Sequence, residues 1–351
     1  MQTIDNTKPV MVTGATGYVA GRLVEKLLSE GITVHAAVRS PDNKEKTKYL
    51  DGLAEKLPGS IKYFKSDLLD DGSYDEAMAG CEVVYHTASP FFLEVKDPQK
   101  DLVDPALKGT RNVLETANRT ESVKRVVVTS SCAAIYGDAK EMLELPNHTI
   151  NEDVWNTTSS LEHQPYSYSK TVAEKEAWKI AEAQDRWRLV IINPSFVLGP
   201  GINPHATSES YGIMKQIGKG DFKMGAPEFN IGCIDVRDLA VAHYRAGTLP
   251  DAEGRHIISA HNSSFGELAA IIKDAYPKYP IGTRKLPKFM IWLMAPSVGM
   301  TRKMASLNIG YPWKADNSKS IEKLNMNYRP LKETVTEFFG SLVDAGEIEK
   351  K

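Results

Sequence analysis

A chain of 351 residues with 43 basic and 45 acidic side chains, a formal net charge of −2 and 42 % hydrophobic content reads as an ordinary globular protein, with room for one large α/β domain or two closely joined lobes. That balance excludes the basic footprint of nucleic-acid or anionic-membrane binding, and although basic residues cluster locally over 44–48, most such charges read as solvated surface. The most apolar late stretch, residues 289–295, is too short to span a bilayer; the polar start MQTIDNTKPV is unlike a secretory signal; and Cys81, Cys132 and Cys233, widely spaced and without metal-ligand spacing, point to reduced thiols, no metal and a cytoplasmic setting.

In chain order, residues 9–13 (PVMVT) form a short apolar run, followed by glycines and a helical pattern of Val19, Leu23, Leu27 and Leu28 that Gly31 closes. Residues 32–38 read as a second strand, and further strand candidates are 61–64, 82–86, 123–130 and 189–193, with helical segments between them. Several are nearly continuous apolar runs, the signature of strands covered on both faces, so the fold expected is α/β: a Rossmann-type, doubly wound parallel sheet. Past Pro194 the pattern loosens, Pro and Gly become frequent, and helices are expected at 236–246 and 265–275. The division expected is a dinucleotide-binding domain over 1–193, with returns near 231–262, and a smaller substrate-binding lobe made mainly of 194–351. The stretch KLPKFMIWLMAPSVGM reads as a core helix in preference to a lid, and the tail GEIEKK as frayed.

The first strand runs into Thr13-Gly14-Ala15-Thr16-Gly17-Tyr18-Val19-Ala20. A tight strand-to-helix turn needs Gly14, and close approach of backbone to a pyrophosphate favours Gly17, with Thr16, Tyr18 and Val19 completing the turn. The helix that follows offers unpaired N–H groups and the positive end of its dipole to phosphate. An NAD site usually places a carboxylate at the end of the second strand for the ribose hydroxyls, but here the segment reads VHAAVRS, and that position is Arg39. A guanidinium suits a 2′-phosphate through paired, charge-assisted hydrogen bonds, and Lys46 at the start of the next helix adds a second cation. The expected cofactor is therefore NADP(H).

Pro165-Tyr166-Ser167-Tyr168-Ser169-Lys170 opens a strong helical stretch. Tyr166 and Lys170 are four apart and share a face, whereas Tyr168 has Val172 in the corresponding place. Reducing a carbonyl needs a proton for the developing alkoxide, and free tyrosine is a weak acid for that task. An ammonium about 4 Å away favours the phenolate by roughly 4 kcal/mol at an effective dielectric of ~20, so Lys170 is expected to depress the phenol. Ser130 and Ser131 follow the apolar strand VKRVVVT, at the edge where parallel sheets bind ligands, which puts Ser131 beside Tyr166 on the substrate oxygen.

With these residues in place, the chain resembles the extended short-chain dehydrogenases/reductases, and within them the dihydroflavonol reductase, cinnamoyl-CoA reductase and methylglyoxal (aldehyde) reductase branch. The likeness runs from TGATGYVA to PSFVLGP through AVRSPDN, SDLLDDGSYDEAMAGCEVVYHTASPF, VVVTSSCAAIYG and PYSYSKTVAEKEAW, and fades beyond. It implies that Arg39 and Lys46 contact the 2′-phosphate, that Asp67 and Leu68 border the adenine, that Thr87, Ala88 and Ser89 lie along the nicotinamide side, and that Pro194 and Val197 stand near its amide. It implies Ser131, Tyr166 and Lys170 as the catalytic set. Ala20 stands where many relatives have a third glycine, and Tyr136 where plant dihydroflavonol reductases carry an asparagine, which weakens a flavonoid substrate. Phe91, Phe92 and Tyr136 suggest an apolar substrate pocket, but plain core or wall packing is the favoured reading of each.

The function expected is NADPH-dependent reduction of an aldehyde or ketone to the alcohol, by a monomer or homodimer that acts on a small carbonyl compound. The alternatives are a sugar-nucleotide epimerase or dehydratase with tightly bound NAD, disfavoured by Arg39, and a non-catalytic dinucleotide sensor, disfavoured by the intact Tyr166–Lys170 pair.

Overall fold

The computed structural model describes residues 3–89 and 95–351. Six strands come first: β1 (Val10–Thr13), β2 (Thr33–Val38), β3 (Ser60–Lys65), β4 (Val83–His86), β5 (Arg125–Thr129) and β6 (Arg188–Pro194). The chain then leaves the sheet for β7 (Phe196–Leu198), β8 (Ala226–Pro227) and β9 (Asn230–Asp235), and returns as β10 (Gly254–Ile258). The resulting seven-stranded sheet has the order β3-β2-β1-β4-β5-β6-β10, with every pairing parallel. Outside it, β9 lies between β7 and β11 (His261–Ser264), and β8 pairs with β12 (Lys285–Leu286). Within residues 231–262, β10 joins the large sheet and the helix Val236–Thr248 packs on it, while β9 and β11 belong to the second sheet.

Helices α1 (Tyr18–Ser29) and α2 (Lys44–Ala54) connect the first three strands, and the short α3 (Asp75–Met78) leads into β4. Then come α4 (Asp104–Arg119) and α5 (Pro165–Glu182). Val12, Val34 and Val83 point to the face where Leu23, Val24 and Leu27 of α1 are fully buried. Met11, Val84, Val126 and Ile191 point to the other, against Val113 and Leu114 of α4 and Ala177 of α5. Each aliphatic side chain so enclosed contributes on the order of 2 kcal/mol, and both faces of the strands need it, which is why their sequences are continuous apolar runs.

The rest of the chain adds α6 (Glu209–Lys219), α7 (Val236–Thr248), α8 (Phe265–Ala275), α9 (Lys288–Met294), α10 (Arg302–Asn308), α11 (Ser318–Lys323) and α12 (Leu331–Asp344), of which α7 returns to the large sheet while α6, α8 and α12 gather in a second lobe. Helix α7 packs beside α1 on the sheet through Leu239, Ala242 and Ala246. The lobe has its own core of Tyr211, Met214, Leu268, Ile272, Phe338 and Phe339. Tyr18 of α1 reaches into it: its hydroxyl donates to Gly199 O at 2.6 Å, and its ring meets Tyr211 edge-on at 5.2 Å and stacks on Phe338 at 6.2 Å.

Two expectations are overturned here. Helix α9 is not a core helix: Phe289 is 70 % and Leu293 63 % exposed, with Trp292 and Met294 also open, and only Ile291 of its seven residues is buried. The run is too short and too uniformly apolar for periodicity to mark one face as inner. Nor is the tail frayed from Gly346 onward. Ile348 is buried in the lobe core, and Glu347 is held by His205 at 2.5 Å and by Lys215. No helix among the described residues is long and apolar enough to cross a membrane.

Candidate active site

The strand order reverses between β1 and β4, and a crevice opens there at the carboxyl ends of the parallel strands. Gly14 sits in the left-handed region at φ +61°, and a Cβ on it would come within 3.0 Å of Ala88 Cβ. A Cβ on Gly17 would lie 3.1 Å from Gly14 O. Among the described residues no side chain caps α1, and no acidic residue stands in its first turn, so the amides beyond Gly17 and the positive end of the helix face the crevice. Two glycines without Cβ atoms and an uncapped helix start fit a pyrophosphate. Thr16 belongs to this turn. The side chain of Tyr18 is committed to the second lobe, leaving its backbone, with that of Val19, on the phosphate side.

At the end of β2, Arg39 is exposed, and so is Lys46 on α2, where Asn43 caps the helix by accepting from Lys46 N. Among the described residues neither cation has a carboxylate partner, although nearby Lys44 and Lys48 do. Two unpaired cations beside the crevice suit a 2′-phosphate better than bare ribose hydroxyls. After β3, Asp67 turns its carboxylate onto Leu69 N at 2.9 Å, and Leu68 packs over Gly109 of α4. Thr87 and Ala88 are pinned to β1: both amides donate to Thr13 Oγ1, and the Thr87 hydroxyl donates to Thr13 O at 2.6 Å.

The start of α5 is held from outside the helix. Gln164 is left-handed at φ +58°, immediately before Pro165 at the first helical position. Buried Asp138 accepts from His163 Nε2 at 2.6 Å, from Asn308 Nδ2 of α10 at 2.6 Å and from Gln164 Nε2 at 3.2 Å. This clasp presents Tyr166 at the cleft, where 46 % of its surface is open. Ser131, in extended conformation after β5, accepts from Ala133 N at 3.1 Å and faces the Tyr166 phenol.

Lys170 lies one turn below, its Nζ donating to Ser89 Oγ at 2.8 Å and standing 5.7 Å from the Tyr166 ring centre. Burial lowers its pKa to about 8, with Glu174 working the other way. The expected depression of the phenol by Lys170 is not what the structure shows. Burial pushes Tyr166 up, the Glu209 charge adds to that, and the Ser131 hydroxyl opposes it. The Lys170 ammonium donates to Ser89, and it is not among the groups that shift the neutral phenol.

Pro194 is buried at the end of β6, and Val197 on β7 accepts through its carbonyl from Ser210 Oγ. Tyr136 joins a small cluster with Ile135, Met142 and Ile257 and meets Trp313 edge-on at 6.0 Å, which makes it a wall. Phe91 and Phe92 lie outside the described residues. Four groups at the site escaped the sequence reading. His86 ends β4 with Nδ1 3.0 Å from Thr13 Oγ1, and burial lowers it to about 3. Asn193 and Glu174 form a buried network behind Lys170, and Glu209 faces Tyr166 from α6 with no hydrogen-bond or ion-pair partner among the described residues. Glu174 had a legible signal, since it stands four residues beyond Lys170. The others come together only through the tertiary fold.

The chain is similar to several known proteins. The model of the NAD dependent epimerase/dehydratase family matches residues 10–259. A cinnamoyl-CoA reductase of Medicago truncatula is 35 % identical over 340 residues, covering 95 % of each chain. A putative anthocyanidin reductase of Ginkgo biloba is 37 % identical over 297 residues, 80 % of this chain and 84 % of that one. Among solved structures, yeast methylglyoxal/isovaleraldehyde reductase complexed with NADPH superposes with a TM-score of 0.76 at 27 % identity, covering 97 % of this chain and 99 % of that one.

Proposed function

The chain belongs to the NAD dependent epimerase/dehydratase family, in the reductase branch of the extended short-chain dehydrogenases/reductases, and we propose that it is an NADPH-dependent carbonyl reductase in which Tyr166 gives the proton. The observation that carries this reading is the convergence of Tyr166, Ser131 and Lys170 on the sheet edge that also bears the Gly14–Gly17 turn. Simple aldehydes and α-dicarbonyls are the proposed substrates.

The first turn of α1 would hold the pyrophosphate, Arg39 and Lys46 the 2′-phosphate, Asp67 and Leu68 the adenine side, and Thr87, Ala88, Ser89, Pro194 and Val197 the nicotinamide side. When bound there, NADPH supplies the hydride. The Ser131 hydroxyl orients the carbonyl oxygen toward the phenol of Tyr166. As the carbonyl carbon gains hydride, the C=O π pair moves to oxygen, which takes the phenolic proton. The phenol is protonated at neutral pH, so the donor is loaded before each turnover; its raised pKa makes it a weaker acid, and the proton moves only as the substrate oxygen becomes an alkoxide, a far stronger base. Lys170, still charged below about pH 8, stabilises the phenolate left behind. Solvent then returns the proton.

NADPH oxidation across a panel of aldehydes, ketones and α-dicarbonyls tests the reading, with the alcohol identified as product and NADH clearly the poorer donor. Silence across the panel, together with NAD retained through purification, would replace it with epimerase or dehydratase chemistry.

A further inference from the structure

Glu174 lies four residues beyond Lys170 and eight beyond Tyr166, on the same face of α5. Unlike them it does not open to the cleft: it is 1 % exposed. Its carboxylate joins three elements. Oε2 accepts from the Ser130 hydroxyl and from Asn193 Nδ2 at 2.8 Å, and that same nitrogen donates to Ser131 O at 3.1 Å. Oε1 accepts from Nε of Arg255 on β10 at 2.6 Å. Arg255 is buried as well, with Nη1 donating to Glu152 O at 2.8 Å and Val154 O at 2.6 Å, and its guanidinium 4.0 Å over the Trp155 ring.

A fully buried ion pair is an expensive way to join a helix to a strand, since apolar residues of like volume do so at least as well. The charge needs another reason, and Lys170 provides one. A small cavity behind its ammonium is lined by His86 of β4, Thr110 of α4, Ser89, Ser130 and Glu174. His86 is kept neutral by burial, and Ser89, Thr110 and Ser130 carry no charge. Tyr166 stays a phenol, and the field of Glu209 falls on that phenol from the far side of the cleft. Glu174 is the carboxylate that favours the charged form of Lys170 against burial.

We propose that Glu174 is a positioning residue for proton donation: its buried carboxylate, held by Arg255, fixes Ser131 through Ser130 and Asn193 and stands with Lys170 on the same small cavity behind the ammonium. This rests on reading Ser131, Tyr166 and Lys170 as the reacting set. The neighbouring turn of the catalytic helix thus supplies the carboxylate nearest to Lys170 on the side away from the substrate.

The test uses two variants of the full chain. Glu174→Gln keeps the shape but leaves Arg255 buried without its counter-ion, so it carries a risk to folding. Glu174→Met combined with Arg255→Met removes both charges at similar volume and guards against that. Melting temperature and NADPH binding by fluorescence establish that each variant is folded. In both, kcat is expected to fall at least tenfold with NADPH affinity within twofold of wild type, figures on the order of one positioned group's effect. The alkaline limb of kcat/KM is expected to move down by about one pH unit, because Lys170 loses the charge that holds its proton. The titration of Lys170, followed by ¹³C NMR of reductively methylated protein and assigned with Lys170→Met, must move the same way, and this readout does not depend on turnover. A purely architectural Glu174 would lower the melting temperature and leave both titrations in place. A folded double variant with an unmoved Lys170 midpoint overturns the inference, whereas an inert wild type with a Lys170 midpoint that shifts as expected overturns the reductase reading alone.

Discussion

Lys170 reaches from the catalytic helix to Ser89, its Nζ 2.8 Å from the serine hydroxyl, and so ties α5 to the segment that follows β4. That bond joins the proton side of the site to the side assigned to the nicotinamide. Because burial lowers Lys170 to about 8, the ammonium is the first of the pair to lose its proton as pH rises, well before the elevated phenol of Tyr166. Reduction is therefore expected to hold steady through neutrality and fall as pH rises through about 8. A kcat/KM profile between pH 6 and 10 on the order of these values checks this, and a flat profile to its alkaline end would contradict it.

Tyr166→Phe removes the proton donor and little else, since the ring keeps its place against Lys170. Loss of a general acid typically costs 10²–10⁴-fold, and about that loss in kcat is expected with NADPH affinity nearly unchanged. Stopped-flow turnover and fluorescence titration separate the two quantities. A variant retaining most of its rate would show that another group protonates the alkoxide.

Arg39→Ala tests cofactor choice. Arg39 is free of carboxylate partners among the described residues, so the substitution breaks no ion pair that holds the fold. A charge-assisted contact is worth about 1.5–3 kcal/mol, so NADPH affinity should weaken roughly 10- to 100-fold while NADH changes little. Equal weakening of both cofactors would place the 2′-phosphate elsewhere.

How much of this was legible follows from which interactions are local. The strands of the large sheet were readable because burial on both faces leaves continuous apolar runs, and Tyr166 and Lys170 because helical spacing puts them together. Gly14 could be read because a turn at φ +61° demands glycine. The pairing of Glu174 with Arg255 joins residues 81 apart, and His86 meets Thr13 only because β4 lies beside β1. Helix α9 misled for the opposite reason: hydrophobicity marks what prefers burial, and on Phe289 and Leu293 the fold leaves that preference unmet.

Acid should destabilise the protein before its carboxylates titrate. Burial keeps three imidazoles neutral: His86 and His256 are lowered to about 3, and His243, between Thr129 Oγ1 and Leu239 O, to about 4. In each case the unfolded chain takes up a proton below its ordinary value near 6.5 while the folded one does not. Stability is then complete above about pH 6.5 and declines as pH falls toward 4, by up to about 1.4 kcal/mol per pH unit for each imidazole. Denaturant melts at stepped pH check this, and His243→Gln should flatten the slope by roughly one imidazole's share. A melting curve unchanged between pH 6.5 and 4.5, on the scale of those values, would show that the rings accept protons in place.

The outer side of α9 can be rewritten at little cost to the fold. Phe289→Ser together with Leu293→Ser should change stability by no more than about 1 kcal/mol, whereas a buried aromatic lost from a core costs 3–5 kcal/mol. Melting temperatures separate the two cases, with Phe338→Ala as the buried comparison. A large loss in the double serine variant would mean that the helix is covered in solution.

Tyr18 gives the molecule its mechanical character. The residue that opens α1 on the phosphate side carries a ring wedged between Tyr211 and Phe338 and a hydroxyl fastened to Gly199, and four residues on Arg22 adds a second tie to Pro200 O at 2.8 Å. The two lobes are thus joined at the helix start where a nucleotide would bind. Neither half can shed the other without exposing this aromatic joint, so heat and denaturant should dissolve both in a single cooperative step, and a protease cut near residue 200 should release no fragment able to stand alone.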